Sequence, residues 1–184
     1  MPSEVRISRR EALAGFGLGF SQWAQADNTA PAPRFSGKTL AGETFNNQSL
    51  MGKVVLVEFW ATWCPYCKRD AQPLEALTQE FAKDGLVVLA VDVGESKKKV
   101  KAFLAENPRN AKMVLMDDTN LAAVFEAKSF PQYVLIQRDG RVGGQQRGSG
   151  GEAALRRLLR RGGLGTGNED EAPLELQSSP RRGA

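Results

Sequence analysis

Seven consecutive residues, Val54-Val55-Leu56-Val57-Glu58-Phe59-Trp60, do most to limit what this chain can become. Apart from Glu58 the run is apolar without alternation, so it predicts a strand buried on both faces, which requires a sheet covered by helices on each side. A second run of the same kind, residues 86–93, follows after a segment with helical spacing. Strand, helix and strand in that order make a parallel crossover the economical reading.

The connecting helix is predicted over residues 65–82, with Leu74, Leu77 and Phe81 on one face, Pro65 at its first turn and a kink at Pro73. Immediately before it stand Trp63-Cys64-Pro65-Tyr66-Cys67, which hold the only two cysteines of the 184 residues. If Cys64 opens the helix, Cys67 lies one turn on and near the same face, so the two sulfurs can form a bond and break it again. The positive end of the helix lowers the first thiol's pKa and so supplies the attacking thiolate. The chain has no histidine, which removes His-based catalytic dyads and triads. Two cysteines cannot supply the four ligands of a structural zinc site. A net charge of +4, dispersed and without aromatic interleaving, argues against nucleic-acid binding.

Residues 34–161 are expected to form one domain. It opens with a hairpin over residues 35–45 turning at Ala41-Gly42. After the second buried strand, Ser96 caps a helix carrying Val100, Phe103 and Leu104, which ends at Asn107-Pro108. Residues 113–116 read as a short strand or extended loop, and Leu121, Val124 and Phe125 as a further helix. A second hairpin pairs residues 133–137 with Arg141-Val142 around Arg138-Asp139-Gly140, and Gly143-Gly144 read as loop. An amphipathic helix over residues 151–161 closes the domain, with Leu155, Leu158 and Leu159 inward and Arg156, Arg157, Arg160 and Arg161 toward solvent.

The ends carry different signals. Ser8-Arg9-Arg10, an apolar run from Ala12 to Phe20, and Ala24-Gln25-Ala26 read as a twin-arginine export signal over residues 1–26, which predicts a periplasmic protein. Residues 27–33 read as a linker and residues 162–184 as a disordered tail. No stretch reaches the roughly 20 apolar residues of a membrane span.

Taken together, Glu58-Phe59-Trp60-Ala61-Thr62-Trp63-Cys64-x-x-Cys67, Leu50-x-Gly52-Lys53 ahead of the strand, the segment from Ser96 to Leu121, and Ser129-Phe130-Pro131 before the second hairpin resemble the thioredoxin superfamily, in its exported TlpA/ResA-like (redoxin) branch. The resemblance implies an α/β thioredoxin-like fold, a central mixed sheet flanked by helices, with an N-terminal hairpin and a helical insert. It implies a thiol-disulfide oxidoreductase that needs no cofactor, acts on the thiols and disulfides of proteins, and exchanges electrons with a membrane or exported partner. Cys64 would attack, Cys67 would resolve the mixed disulfide, and Glu58 would relay a proton at Cys67. Pro131 would be a cis-proline facing the dithiol, Phe130 would pair its backbone with a substrate strand, and Trp63, Pro65 and Tyr66 would meet the substrate. Trp60 would wall the site or pack in the core.

Two features depart from the family pattern. Pro73 lies six residues after Cys67, one further than usual, which displaces the kink by about 100° around the helix. Pro65-Tyr66 is the dipeptide of glutaredoxins and bears on the redox potential; reduction of substrates is the expected direction. Two other functions fit parts of the sequence: a thiol peroxidase, for which Ala61 stands where that class carries threonine, and a module using the thiols as soft ligands for a metal such as Cu(I).

Overall fold

A computed structural model of the chain describes residues 30–165, and the predicted export signal and most of the predicted tail lie outside the described residues. The elements run β1 (Ser36–Thr39), β2 (Thr44–Asn46), β3 (Val54–Trp60), α1 (Pro65–Glu80), β4 (Leu86–Asp92), α2 (Lys97–Glu106), β5 (Lys112–Thr119), α3 (Leu121–Val124), β6 (Gln132–Ile136), β7 (Val142–Arg147) and α4 (Gly151–Arg160). The strands form one seven-stranded mixed sheet in the order β2-β1-β5-β4-β3-β6-β7. Strand β3 is an interior strand, paired in parallel with β4 and antiparallel with β6. All seven of its residues are buried, as its unbroken apolar run requires.

Alternation along β3 divides the core between the two faces of the sheet. Val54, Leu56 and Trp60 join Leu74 and Leu77 of α1, Val100 of α2 and Leu155, Leu158 and Leu159 of α4. Val55, Val57 and Phe59 join Phe35 and Phe45 of the N-terminal hairpin with Leu121 and Phe125. Glu58 belongs to the first set by its position in the alternation, so an acid faces the helix that carries both cysteines.

The predicted elements agree with this architecture, with four differences. The insert is not purely helical: residues 112–119 form β5, which pairs with β4 on one side and β1 on the other and so joins the N-terminal hairpin to the sheet. Gly143 and Gly144 lie in β7 rather than a loop, with Gly144 paired opposite Leu135 of β6; a Cβ on Gly143 would meet the side chains of Gln137 and Leu135. The linker assigned to residues 27–33 does not run free to its end, since Pro31 bridges Arg141, Ala32 donates to the Gly140 carbonyl at 2.9 Å, and Val142 donates to that of Ala30 at 2.8 Å. The tail assigned from residue 162 begins too early, because Leu164 is 2% exposed and belongs to the α1-side core. Its glycine-rich flanks, read as disorder, form a tight turn that folds it back: Leu164 N–H donates to the Leu159 carbonyl at 3.3 Å, with Gly163 at φ 77°.

Candidate active site

The dithiol sits where β3 gives way to α1. Cys64 is the N-cap residue of α1 and Pro65 follows in its first turn, where the missing N–H leaves no hydrogen bond unmade. Cys64 and Cys67 are joined in a disulfide, and the Cys64 Sγ also accepts the Cys67 backbone N–H at 3.1 Å. One sulfur therefore has a donor at the positive end of a helix, an arrangement that stabilises a thiolate once the bond is reduced.

The residues around the dithiol divide by exposure. Cys64 and Cys67 are nearly covered, whereas Trp63 is 61% and Tyr66 54% exposed, far more than large aromatic side chains usually are. The guanidinium of Arg69 lies over the Tyr66 ring, 4.9 Å from its centroid. Trp63 meets Phe130 edge-on, with centroids 6.4 Å apart, and this contact brings the dithiol loop to the loop carrying Pro131. The Phe130-Pro131 peptide is cis and Pro131 is buried. Pro73 lies inside α1, which continues through it.

Glu58 is fully buried in mid-strand, opposite Ala90 of β4 and Tyr133 of β6. An isolated carboxylate there would be costly, and the structure supplies a counter-charge: Arg109, from the loop after α2, donates from Nη2 to Glu58 Oε2 at 2.7 Å. The arginine side chain is itself only 5% exposed. Its guanidinium lies 5.3 Å from the Trp60 ring centroid and its Nε 3.8 Å from Glu75 Oε1. Burial pushes the Glu58 carboxyl above its usual range, and the charge and hydrogen bond of Arg109 offset part of that rise. A cavity of about 380 Å³ opens between α1 and α2, with Cys67, Trp60, Phe103, Lys68, Glu75 and Arg109 in its wall. Cys67 and the guanidinium that binds Glu58 thus face one space.

Arg109 escapes a reading of the sequence, since 51 residues separate it from Glu58 and it follows a helix-ending Asn-Pro. The one available signal is that a lone acid in a buried strand requires a partner. Asp70 gives a clearer signal, because it stands on the apolar stripe of α1 one turn before Leu74. It is fully buried and accepts from Tyr133 Oη at 3.1 Å, Ser149 Oγ at 2.5 Å and Gly151 N–H at 3.2 Å, which ties α1 to β6 and to the start of α4. The neighbouring carboxylates raise the Tyr133 phenol, which burial has already pushed far up.

A third acidic group braces the loop itself. Glu95 accepts from the N–H and the hydroxyl of Thr62, and the Glu95 N–H donates to Asp92 Oδ1 at 3.2 Å. Burial and the adjoining Glu95 push Asp92 up to about 7, whereas Glu95, despite its own burial, is held down to about 2 by Lys99 and Thr62. Among the described residues no group of three or more His, Cys, Asp or Glu side chains is placed to hold a metal ion, and no helix is long and apolar enough to cross a membrane.

The chain is similar to known proteins. The profile of the AhpC/TSA family matches residues 29–144. Over 112 residues the chain is 38% identical to the thioredoxin-like protein YneN of Bacillus subtilis, covering 59% of this chain and 65% of that protein. It is 32% identical over 111 residues to the thiol-disulfide oxidoreductase ResA of the same organism, covering 60% of this chain and 62% of ResA. The matched region is thus just under two thirds of either relative. Among solved structures, a thioredoxin-family thiol:disulfide interchange protein from Chlorobium tepidum superposes with a TM-score of 0.63 at 26% identity, over 72% of this chain and 94% of that one. A second from that organism, described as a putative DsbE, superposes with a TM-score of 0.65 at 23% identity, over 73% and 96%. The fold, the dithiol at the head of α1 and the profile match agree, and the chain belongs to the AhpC/TSA family, on a thioredoxin-like fold and with ResA and YneN among its relatives.

Proposed function

We propose that this protein is an exported thiol-disulfide oxidoreductase that reduces disulfides in protein substrates through Cys64 and Cys67. The observation that carries the reading is the Cys64–Cys67 bond at the N-terminus of α1, with Cys64 Sγ already holding a backbone donor. In the reduced protein the Cys64 thiolate attacks a substrate disulfide. One substrate sulfur leaves with the electron pair, and a mixed disulfide joins Cys64 to the other. Cys67 then loses its proton and attacks Cys64 Sγ. The intramolecular bond forms, the second substrate sulfur leaves as a thiolate, and the protein has given up two electrons.

Glu58, on the cysteine-bearing face of β3, takes the Cys67 proton in this scheme, and its raised pKa suits that transfer at neutral pH. Exposed Trp63 and Tyr66, with Phe130 and the Pro131 loop, offer an apolar rim on which an extended substrate segment can lie. Returning the protein to its reduced form requires an electron donor, placed here in or beyond the membrane. Support for export comes from the paired arginines and the Ala24-Gln25-Ala26 site.

Insulin reduction, followed as turbidity with dithiothreitol as donor, tests the proposal. Wild type accelerates it, and both Cys64→Ser and Cys67→Ser fall to the background rate. A Cys64→Ser variant as active as wild type overturns the mechanism. Trapping thiols in intact cells reports the direction: a reduced steady state supports the reductant role, and an oxidised one assigns disulfide donation instead. Rapid peroxide consumption coupled to Cys64 would replace protein disulfides with peroxide as the substrate.

A further inference from the structure

Arg109 binds one oxygen of Glu58 and leaves the other without a hydrogen-bond partner. Oε2 accepts the Nη2 bond at 2.7 Å, while Oε1, buried in the same carboxylate, has none. A buried carboxylate oxygen without a donor is costly, and such atoms in native proteins call for an explanation. Here the unpartnered atom belongs to a carboxylate facing the cysteine-bearing helix, and Cys67 and Arg109 share the wall of one cavity.

We propose that Arg109 is the positioning residue of the resolution step: by fixing Glu58 through Oε2, it presents Oε1 as the acceptor for the Cys67 proton. The inference rests on the disulfide exchange proposed above and names the residue that orients its base. In that step the Cys67 S–H bond breaks and its proton goes to Oε1. The Cys67 electron pair forms the bond to Cys64 Sγ, the bond from Cys64 to the substrate sulfur breaks, and that sulfur leaves with its electron pair. The proton then reaches solvent or the leaving thiolate through the cavity.

The guanidinium suits this task better than an ammonium would. It is planar, always charged and held on several sides: by Glu58, by Glu75 and by the face of Trp60. The other titratable groups that act on or face Glu58 are Asp70 and Glu75 on α1 and Tyr133 on β6; Cys67 of α1 shares a cavity wall with Arg109, and Asp92 lies further along the same face of β4, opposite Trp60. Asp70 and Glu75 oppose ionisation of Glu58, so Arg109 is the cation that keeps a basic form available in their company.

Stopped-flow reaction of the reduced protein with one equivalent of 5,5′-dithiobis(2-nitrobenzoate) separates the two steps. The first thionitrobenzoate released reports attack by Cys64, and the second reports resolution by Cys67. Removing the guanidinium raises the Glu58 pKa, so the acid limb of the second phase moves to higher pH. For Arg109→Met the expected displacement is about one unit, or a tenfold slower second phase on that limb, with the first phase unchanged. Arg109→Gln moves the limb in the same direction and serves if the methionine variant does not fold. Arg109→Lys, keeping the charge, stays within about threefold of wild type.

In a Glu58→Gln background, substitution of Arg109 has no further effect on the second phase. A second-phase profile of Arg109→Met and Arg109→Gln identical to wild type overturns the inference. So does an equal slowing in the Glu58→Gln background, which would make Arg109 a packing residue. Failure of wild type to release any thionitrobenzoate in two phases would instead overturn the proposed function.

Discussion

Glu95 accepts both hydrogen bonds that Thr62 can donate, one from the backbone N–H at 2.5 Å and one from the hydroxyl at 2.7 Å, two residues before Cys64. The last turn before the dithiol is therefore clamped by a carboxylate belonging to the loop after β4. Thr62→Val removes one bond and leaves Glu95 Oε1 held by Lys99 alone. It is expected to cost about 1–3 kcal/mol in urea denaturation, with insulin reduction slowed in step with the looser loop.

The same carboxylate shares its surroundings with Asp92, and the pair predicts a pH dependence of stability. The Asp92 pKa is raised in the folded protein from 3.8 to about 7, so between those values the folded state binds more protons than the unfolded chain. The contribution of Asp92 to stability is therefore fully present below about pH 4 and lost as pH rises through about 7. Glu95, lowered from 4.5 to about 2, acts in the opposite sense, its contribution being lost as pH falls below 4.5. The pair is expected to stabilise the fold most at about pH 4–4.5, where the Glu95 contribution is nearly complete and that of Asp92 has barely begun to fall. Urea midpoints at pH 5 and 8 check this: Asp92→Asn should narrow the difference between them.

Asp70 is the hub of three hydrogen bonds joining α1, β6 and the start of α4. Tyr133→Phe removes one donor and is expected to cost about 1 kcal/mol. Asp70→Ala strips the acceptor from a buried tyrosine hydroxyl, a serine and a helix-start N–H, so a loss of about 3 kcal/mol or more is expected in chemical denaturation.

Leu164 is the last buried residue among those described. Its replacement by alanine is expected to cost about 2–4 kcal/mol, typical of a leucine lost from a close-packed core, without altering the rate of Cys64 alkylation in the reduced protein. A chain ending at Arg161 should melt lower than one ending at Gly165.

Trp63 carries a prediction about substrate size. With 61% of the residue exposed, Trp63→Ala should leave folding stability within about 0.5 kcal/mol. The KM for insulin should rise several-fold, while the rate with a small aromatic disulfide changes little. Loss of both rates together would place Trp63 in the chemistry rather than on the docking rim.

Which parts of the structure the sequence revealed depended on whether the relevant signal was local. The continuous apolar run of β3, the Cys64-x-x-Cys67 spacing, Pro65 at the helix start and the turn at residues 138–140 each express physics acting over a few residues, and each reappears in the structure. Burial of Glu58 was legible from its place in that run. Its partner was not, because the bond from Arg109 depends on how the loop after α2 packs back against the sheet. Leu164 was hidden for a related reason. Flanking glycines read as disorder when considered alone, and only Val54 and Leu159 show that they close a turn. Asp70 lay in plain view on an apolar stripe, where a carboxylate signals a buried network.

The anchoring of Ala30, Ala32 and Gly162 has a consequence for how the domain can be mounted. Ala30 and Ala32 are tied to the turn between β6 and β7, and Gly162 lies against Val54 at the start of β3, whereas Cys64 follows the finish of that strand. Seven residues of β3, about 20 Å of strand, separate the two ends of the sheet. Polypeptide arriving at Ala30 or departing after Gly165 does so from the pole opposite the sulfurs. The domain can therefore be tethered, fused or immobilised through Ala30 or Gly165 with its reactive pole still facing outward.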